Sequence, residues 1–124
     1  MEKNKKRILL AEDNAINQKV ALLMLKKYDQ SIDIADNGRI AVEKFLQYNY
    51  DLVLMDLHMP ELDGFEATMQ IREIENKEKR ETKVKIYAMT ASSISDESER
   101  CYAAGMDGYI SKPFKAEEVI NVLT

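Results

Sequence analysis

The chain has 124 residues, of which 45% are hydrophobic and 32% charged, so it can bury a core and lacks the composition of a disordered segment. Its formal net charge of −4 gives no general attraction to nucleic acid or anionic lipid, so neither is expected as a partner. A single cysteine, Cys101, excludes an internal disulfide and favours a reducing, cytoplasmic location.

The length predicts one domain over residues 1–124, with residues 1–6 as a flexible start. The longest uninterrupted apolar run, residues 20–25, is far shorter than the roughly 18 residues of a membrane-spanning helix. The N-terminal sequence also lacks the apolar stretch and cleavage site of a secretory signal. We therefore expect no membrane contact by this domain.

Five short apolar runs alternate with longer segments of helical period. The runs are too short for helices and are bounded by polar or turn residues, so they predict strands at 8–11, 31–35, 52–55, 86–89 and 109–110. The first four strands are followed by predicted helices around residues 16–23, after Gly38, after Gly64 and at 95–104, and a fifth helix is predicted at 115–123. The fourth helix has Ser95 as its predicted N-cap and Gly105 as its C-terminal stop.

Repeated strand–helix units predict parallel strands joined by right-handed crossovers, with helices on both faces of one sheet. The predicted fold class is therefore α/β, with a doubly wound parallel sheet of five strands. The second strand alternates through Ser31 and Asp33, which indicates an edge strand. The acidic and basic stretch 73–85 is interpreted as a frayed helix end and a solvated surface connection.

Polar side chains follow four of the five predicted strands, at the sheet edge where doubly wound folds bind their ligands. Three clustered carboxylates disfavour joint ionisation, so such a cluster either holds a proton or binds a cation. Hard oxygen ligands favour Mg²⁺ over zinc. In strand order, the side chains are Glu12 and Asp13, Asp56, Thr90, and then Ser111 and Lys112.

The residues leave other interpretations to compare. Nucleotide binding is not favoured, because no Gly-rich phosphate loop follows the first strand. A phosphatase that forms an aspartyl phosphate on Asp56 could use His58 as a second acid, although 124 residues leave no room for a substrate-covering cap. The remaining alternative to a cation site is that these polar residues are ordinary strand ends without a ligand.

Four motifs follow one another along the chain: ILLAEDN with Asp13, LVLMDLHMPELDGFEA around Asp56, AMTA with Thr90, and GMDGYISKP with Lys112. Together they resemble the receiver domain of two-component response regulators. The resemblance extends over residues 7–123 and implies a flavodoxin-like (βα)5 fold with strand order 2-1-3-4-5. It implies a signalling domain, not an enzyme in the usual sense, that assists its own phosphorylation and dephosphorylation.

This resemblance also implies roles for individual residues. Asp56 would accept a phosphoryl group from a phosphohistidine, and Lys112 and Thr90 would contact the phosphoryl oxygens. A carboxylate is a weak nucleophile, so Mg²⁺ and the Lys112 ammonium must neutralise charge during the transfer. The implied ligands of Mg²⁺, or of Mn²⁺ in its place, are Glu12, Asp13, Asp56 and the backbone carbonyl of His58. The implied conformational switch consists of Thr90 and Tyr109. Pro113 is the implied cis proline. The positions implied to tune dephosphorylation are His58 and Ser92.

One part of the sequence points to a branch of the family. Glu12, Asp13, Asn14 and Asn17, followed by KVALLML, are similar to the receivers at the ends of hybrid sensor histidine kinases. We therefore expect a histidine kinase or a histidine phosphotransfer domain as partner. Residues 20–25 of the first predicted helix, helix 1, are apolar beyond one buried stripe, so helix 1 is the expected docking surface unless the fifth helix covers it.

Two functions from different classes follow. The first is a phosphorylatable switch, either a stand-alone receiver or the C-terminal part of a membrane-bound hybrid kinase. The second is a receiver-shaped interaction module without phosphate turnover. Loss of Asp13, Asp56 or Lys112 would favour the second function, and all three residues are present.

Overall fold

The computed structural model describes residues 6–26, 31–90, 98–111 and 115–123. Strands and helices alternate along this part of the chain, and the flexible start expected at residues 1–6 lies outside it except for residue 6. In chain order, the elements are β1 (Arg7–Ala11), α1 (Ala15–Lys26), β2 (Ser31–Ala35), α2 (Gly38–Gln47), β3 (Leu52–Asp56), α3 (Gly64–Lys77), β4 (Lys85–Thr90), α4 (Ser98–Ala104), β5 (Gly108–Ser111) and α5 (Ala116–Leu123).

The strands form one parallel sheet in the order β2-β1-β3-β4-β5, which confirms the predicted doubly wound α/β fold. The central strands β1 and β3 are almost entirely buried, whereas β2 is a half-buried edge strand, as its alternating polar residues predicted. Ala11 of β1 pairs with Met55 of β3, and Asp56 of β3 pairs with Met89 of β4. This register brings the carboxyl ends of three adjacent strands to one edge of the sheet.

Two hydrophobic clusters, one on each face of the sheet, form the core. Successive residues of a strand point to opposite faces, so Leu9 packs with residues of α2, α3 and α4, whereas Leu10 packs with residues of α1 and α5. Because both faces are covered, the strands appear in the sequence as continuous apolar runs. No described helix is long and apolar enough to cross a membrane.

Capping residues define the ends of three helices, and one of these residues, Gly105, was predicted. Asn37 and Asp63 cap α2 and α3 by accepting hydrogen bonds from the backbone N–H groups of Ile40 and Glu66. Gly105 follows α4 with φ of +109°, which confirms it as the predicted helix stop. The predicted N-cap Ser95 lies outside the described residues.

The charged stretch at the end of α3 is not wholly solvated, so that interpretation was wrong for Glu75. The Glu75 side chain is fully buried, and its carboxylate accepts hydrogen bonds from Val84 N at 2.7 Å and Arg72 Nη1 at 2.8 Å. Arg72 also donates to the carbonyls of Val84 and Gly105 and to the carboxylate of Asp107. These bonds tie α3 to the start of β4 and to the turn before β5.

Removing this buried carboxylate should destabilise the protein. Glu75→Ala leaves the Val84 N–H without its acceptor and Arg72 without one of its anions, so we expect the free energy of unfolding to fall by about 3 kcal/mol. Urea titration measures this change. Glu73→Ala, at an exposed position of the same helix, is the matched control and should cost less than about 0.5 kcal/mol. Equal effects in the two variants would contradict the assigned role of Glu75.

Candidate functional site

Three carboxylates lie together at the carboxyl edge of the sheet. Each of Glu12, Asp13 and Asp56 offers an oxygen within 4.8 Å of the others. Glu12 and Asp56 are buried, whereas Asp13 is exposed and opens the cluster to solvent. Anions at such separations repel strongly, and a hard divalent cation with oxygen ligands relieves that repulsion. The donor set therefore fits Mg²⁺.

The turn after β1 holds Glu12 by both its backbone and its side chain. Glu12 N donates to the Ala35 carbonyl at 3.0 Å, and the Glu12 carboxylate accepts from Asn14 N at 3.0 Å. Gln18 Nε2 donates to the Glu12 carbonyl at 2.6 Å and to the Asp36 carboxylate at 2.9 Å. Gln18 thus joins α1 to the ends of β1 and β2, so the position of Glu12 depends on three elements.

The end of β3 holds Asp56 against the start of α3. His58 N donates to Asp56 Oδ1 at 3.3 Å, and Gly64 N donates to the Leu57 carbonyl at 3.0 Å. A Cβ at Gly64 would lie 2.3 Å from the Asp56 carbonyl oxygen, so only glycine permits this approach. The His58 side chain is exposed, and its backbone lies next to the acidic cluster.

Thr90 and Tyr109 lie on the two strands beyond β3. Thr90 ends β4 and is buried, one residue past the partner of Asp56. Tyr109 lies on β5 opposite Ala88, and its side chain is 40% exposed while its neighbours Gly108 and Ile110 are buried. Lys112, Pro113 and Ser92 lie outside the described residues, so the roles implied for them stay predictions.

Sequence reasoning missed several polar residues on the helices and loops around the carboxylates. Gln18 gives no recognisable sequence signal, because its two partners are brought to it only by the fold. Asn37 does give one, since an Asn before a helix is a common N-cap. Glu61 adopts φ of +68° in the loop between β3 and α3, a conformation that no sequence pattern of this chain predicted. Of these residues, Gln18 contacts the cluster directly, through the Glu12 carbonyl, and Asn37 and Glu61 join the loop between β3 and α3 to the start of α2.

Neutralising one carboxylate of the cluster should have opposite effects with and without metal. Asp13→Asn removes repulsion, so we expect the metal-free protein to melt roughly 2–6 °C higher, which corresponds to about 1 kcal/mol in a chain of this size. It also removes a ligand, so the stabilisation by Mg²⁺ should shrink. Thermal unfolding with chelator and with excess Mg²⁺ measures both effects.

The matched control is Asp51→Asn, an exposed position that precedes β3 at the opposite end of the sheet. Its carboxylate accepts a hydrogen bond from Arg7 N at 2.9 Å, so we expect the metal-free melting temperature to fall slightly and the response to Mg²⁺ to match that of the wild type. A metal-free Asp13→Asn protein that melts below the wild type would contradict the repulsion argument.

Comparison with known proteins gives one family. The pattern of the response regulator receiver domain matches residues 8–124. Probable histidine kinase 1 of Oryza sativa subsp. indica is 40% identical, with 97% of this chain and 15% of that protein covered. Hybrid signal transduction histidine kinase B of Dictyostelium discoideum is also 40% identical, with 92% of this chain and 6% of that protein covered. The chain therefore spans only a small fraction of the length of these curated relatives.

Solved structures give the same result. One similar structure is the receiver domain of Ssk1, co-crystallised with the Saccharomyces cerevisiae histidine phosphotransfer signalling protein Ypd1. Its TM-score is 0.88 at 33% sequence identity, and the match covers 97% of this chain and 87% of that chain. The receiver domain of the sensor histidine kinase PA1611 from Pseudomonas aeruginosa has a TM-score of 0.83 at 39% identity, with 96% and 94% covered. That structure has a magnesium ion coordinated in its active-site cleft.

Proposed function

This chain belongs to the response regulator receiver domain family of two-component signalling, and we propose that it is a phosphoacceptor switch of a phosphorelay. The observation that carries the proposal is the group of three carboxylates, Glu12, Asp13 and Asp56, at the carboxyl edge of a doubly wound sheet. Asp56 is the proposed acceptor because it is buried and ends the strand between β1 and β4, where its partner in β4, Met89, directly precedes the buried Thr90. Such an edge is where this architecture binds its ligands.

In the proposed reaction, a carboxylate oxygen of Asp56 attacks the phosphorus of a partner's phosphohistidine. The P–N bond breaks, its electron pair stays on the imidazole, and an acyl phosphate forms on Asp56. Glu12, Asp13, Asp56 and the His58 carbonyl would hold Mg²⁺, or Mn²⁺ in its place, and the bound ion would supply charge neutralisation at the phosphoryl oxygens. The His58 N–H at 3.3 Å from Asp56 Oδ1 orients the attacking carboxylate.

The remaining site residues would act on the phosphoryl group and transmit its presence. We propose that the Lys112 ammonium contacts the phosphoryl oxygens and that the Thr90 hydroxyl donates a hydrogen bond to one of them. That bond exists only in the phosphorylated state, so it favours a second conformation. Tyr109, on the exposed side of β5, is the proposed residue that moves inward in response.

The lifetime of the phosphorylated state would depend on a water molecule in line with the phosphorus. His58 and Ser92 are the positions proposed to tune it. Neither side chain is a carboxamide or a carboxylate that could orient this water, and the His58 side chain is exposed. We therefore propose a long-lived acyl phosphate that a partner removes.

The acceptor assignment can be tested with a small phosphodonor. Acetyl phosphate and Mg²⁺ should add one phosphoryl group to the wild-type protein, and Asp56→Asn should abolish the labelling because a carboxamide forms no acyl phosphate. Intact-protein mass spectrometry measures the product. Asp51→Asn, at the other end of the same strand, is the matched control and should be labelled as the wild type is. Undiminished labelling of Asp56→Asn would refute the assignment, and an unlabelled wild type would favour an interaction module without phosphate turnover.

The partner that we propose is a histidine kinase or a histidine phosphotransfer domain, docked on α1. Its phosphohistidine must reach Asp56, so its docking surface must border the acidic cluster, and α1 begins two residues after Asp13. Ile16, Val20 and Leu23 recur at helical spacing on α1, and their side chains are 72%, 44% and 73% exposed. The similarity to the Ssk1 receiver, crystallised with Ypd1, supports this class of partner.

A groove beside this exposed face extends the proposed docking surface. It has a volume of about 260 Å³ and lies between α1 and the start of α5. Leu23 and Met24 line one side of the groove, and Lys115, Ala116 and Glu117 line the other. The fifth helix therefore packs beside the outer face of α1 and leaves Leu23 accessible.

A charge on this face should impair transfer from a partner and spare the chemistry. Leu23→Asp should slow phosphotransfer from a phosphorylated histidine phosphotransfer domain of the same organism by about tenfold, because it replaces an apolar contact by a charge. Labelling by acetyl phosphate should be unchanged. Leu46→Asp, at a similarly exposed position of α2, is the matched control. Equal transfer rates to the two variants would rule out docking through α1.

Two further proposals concern the domain organisation of the chain and its cellular location. The curated relatives are histidine kinases of which this chain covers at most 16% of the length. We propose that residues 1–124 act in the cytoplasm as one receiver domain, in the manner of the receiver at the end of a hybrid kinase.

A further inference from the structure

The loop between β3 and α3, residues 57–63, reaches the start of α2 through one unusual residue. Glu61 has φ of +68°, a left-handed conformation that costs a non-glycine residue free energy. In this conformation Glu61 Oε2 accepts a hydrogen bond from Asn37 Nδ2 at 3.2 Å, and Oε1 accepts one from Arg39 Nε at 3.1 Å. We call these three residues the Glu61 latch.

Both partners of Glu61 are held by α2. Asn37 is buried, and its Oδ1 caps α2 by accepting from Ile40 N at 2.8 Å, so its Nδ2 is the atom left to face the loop. Arg39 lies in the first turn of α2 and also forms an ion pair with Glu43. The hydrogen bond to Glu61, together with the charges of Glu43 and Glu61, raises the pKa of Arg39.

The loop backbone also packs directly on α2. A Cβ at Gly38 would lie 2.0 Å from the Leu62 carbonyl oxygen, so the first residue of α2 must be glycine for the loop to lie there. The latch therefore acts where the loop and α2 are already in contact.

The same loop carries the backbone of His58 next to Asp56. At the N-terminal end of the loop, His58 N donates a long hydrogen bond of 3.3 Å to Asp56 Oδ1. At its C-terminal end, Gly64 N donates to the Leu57 carbonyl. Glu61 is the point between them where side chains from another element hold the loop. Only Met59 and Pro60 separate His58 from Glu61 along the loop.

We propose that Glu61 is a positioning residue that acts with Asn37 and Arg39, and that by fixing the 57–63 loop the latch sets the affinity of the acidic cluster for Mg²⁺. The inference rests on the proposed function, in which the His58 carbonyl is a ligand. Groups that orient metal ligands without touching the ion commonly change metal affinity when they are altered. Arg39 and Glu61 would thus affect a site to which neither contributes an atom.

Arg39→Ala separates positioning from plain electrostatics by the sign of its effect, whereas for Glu61→Gly both predict weaker Mg²⁺ binding because an anion is lost. Glu61→Gly removes the carboxylate and suits φ of +68°, so it deletes the latch without adding backbone strain. Arg39→Ala removes a cation, which by charge alone would strengthen Mg²⁺ binding, whereas loss of positioning would weaken it. Glu43→Ala removes the other anion paired with Arg39 and leaves Glu61 intact, so it is the matched control.

Calorimetric titration of the full chain with MgCl₂ measures the affinity. We expect Glu61→Gly and Arg39→Ala each to weaken Mg²⁺ binding by roughly three- to tenfold, a lower range than the usual effect of groups bonded directly to a ligand. The double variant should be no weaker than either single variant, because both remove the same latch. Arg39→Lys, which keeps a donor and a charge, should recover part of the affinity, and Glu43→Ala should match the wild type.

Amide hydrogen exchange without metal provides a second readout. Protection of the His58 and Gly64 amides should fall in Arg39→Ala and Glu61→Gly and stay unchanged in Glu43→Ala. Unchanged protection, or Mg²⁺ binding that is unchanged or tighter in Arg39→Ala, would overturn the latch. Either of these results leaves the proposed function standing, provided that the wild type is phosphorylated on Asp56. A wild type that accepts no phosphoryl group overturns the proposed function, and the exchange result still decides whether the latch holds the loop.

Discussion

Mutual repulsion among three carboxylates at one edge of a parallel sheet is the constraint around which the described structure is arranged. Glu12, Asp13 and Asp56 offer oxygens within 4.8 Å of one another, and two of these residues are buried. Without a counter-ion, such an arrangement costs stability, so the surrounding backbone must hold it in place. The donor set therefore has the oxygen ligands that a hard cation prefers.

The supports of the site come from neighbouring elements and act through short, specific contacts. Asn14 and Gln18 hold Glu12 from the turn after β1 and from α1, and His58 N–H holds Asp56. Gly38 and Gly64 permit backbone approaches that any side chain would block. Through Gly38 and Glu61, even α2, which contributes no carboxylate to the cluster, is joined to the loop beside Asp56.

Glu75 shows how differently the fold can treat a buried carboxylate. Its charge is paired with Arg72, and it accepts the backbone N–H of Val84, so the carboxylate joins α3 to β4. In the acidic cluster, by contrast, carboxylates lie next to each other. A buried anion with a cation three residues away on the same helix is a structural tie, whereas adjacent buried anions indicate a place for a ligand.

The sequence by itself determined the α/β class, the succession of elements, the edge position of β2 and the polar residues at the strand ends. These depend on local periodicity and on the rule that parallel strands end at one edge, so Glu12, Asp13 and Asp56 could be grouped before any coordinates. Only the tertiary structure decided which charged residues are buried and which loops are bonded to neighbouring helices. Glu75 belongs to a stretch that looks solvated, and no sequence pattern singles out Glu61 within its loop. Arg72 lies within one helical turn of Glu75, whereas Val84, Asn37 and Arg39 reach their carboxylate partners only because packed helices and strands bring separate segments of backbone together, which local sequence patterns do not encode.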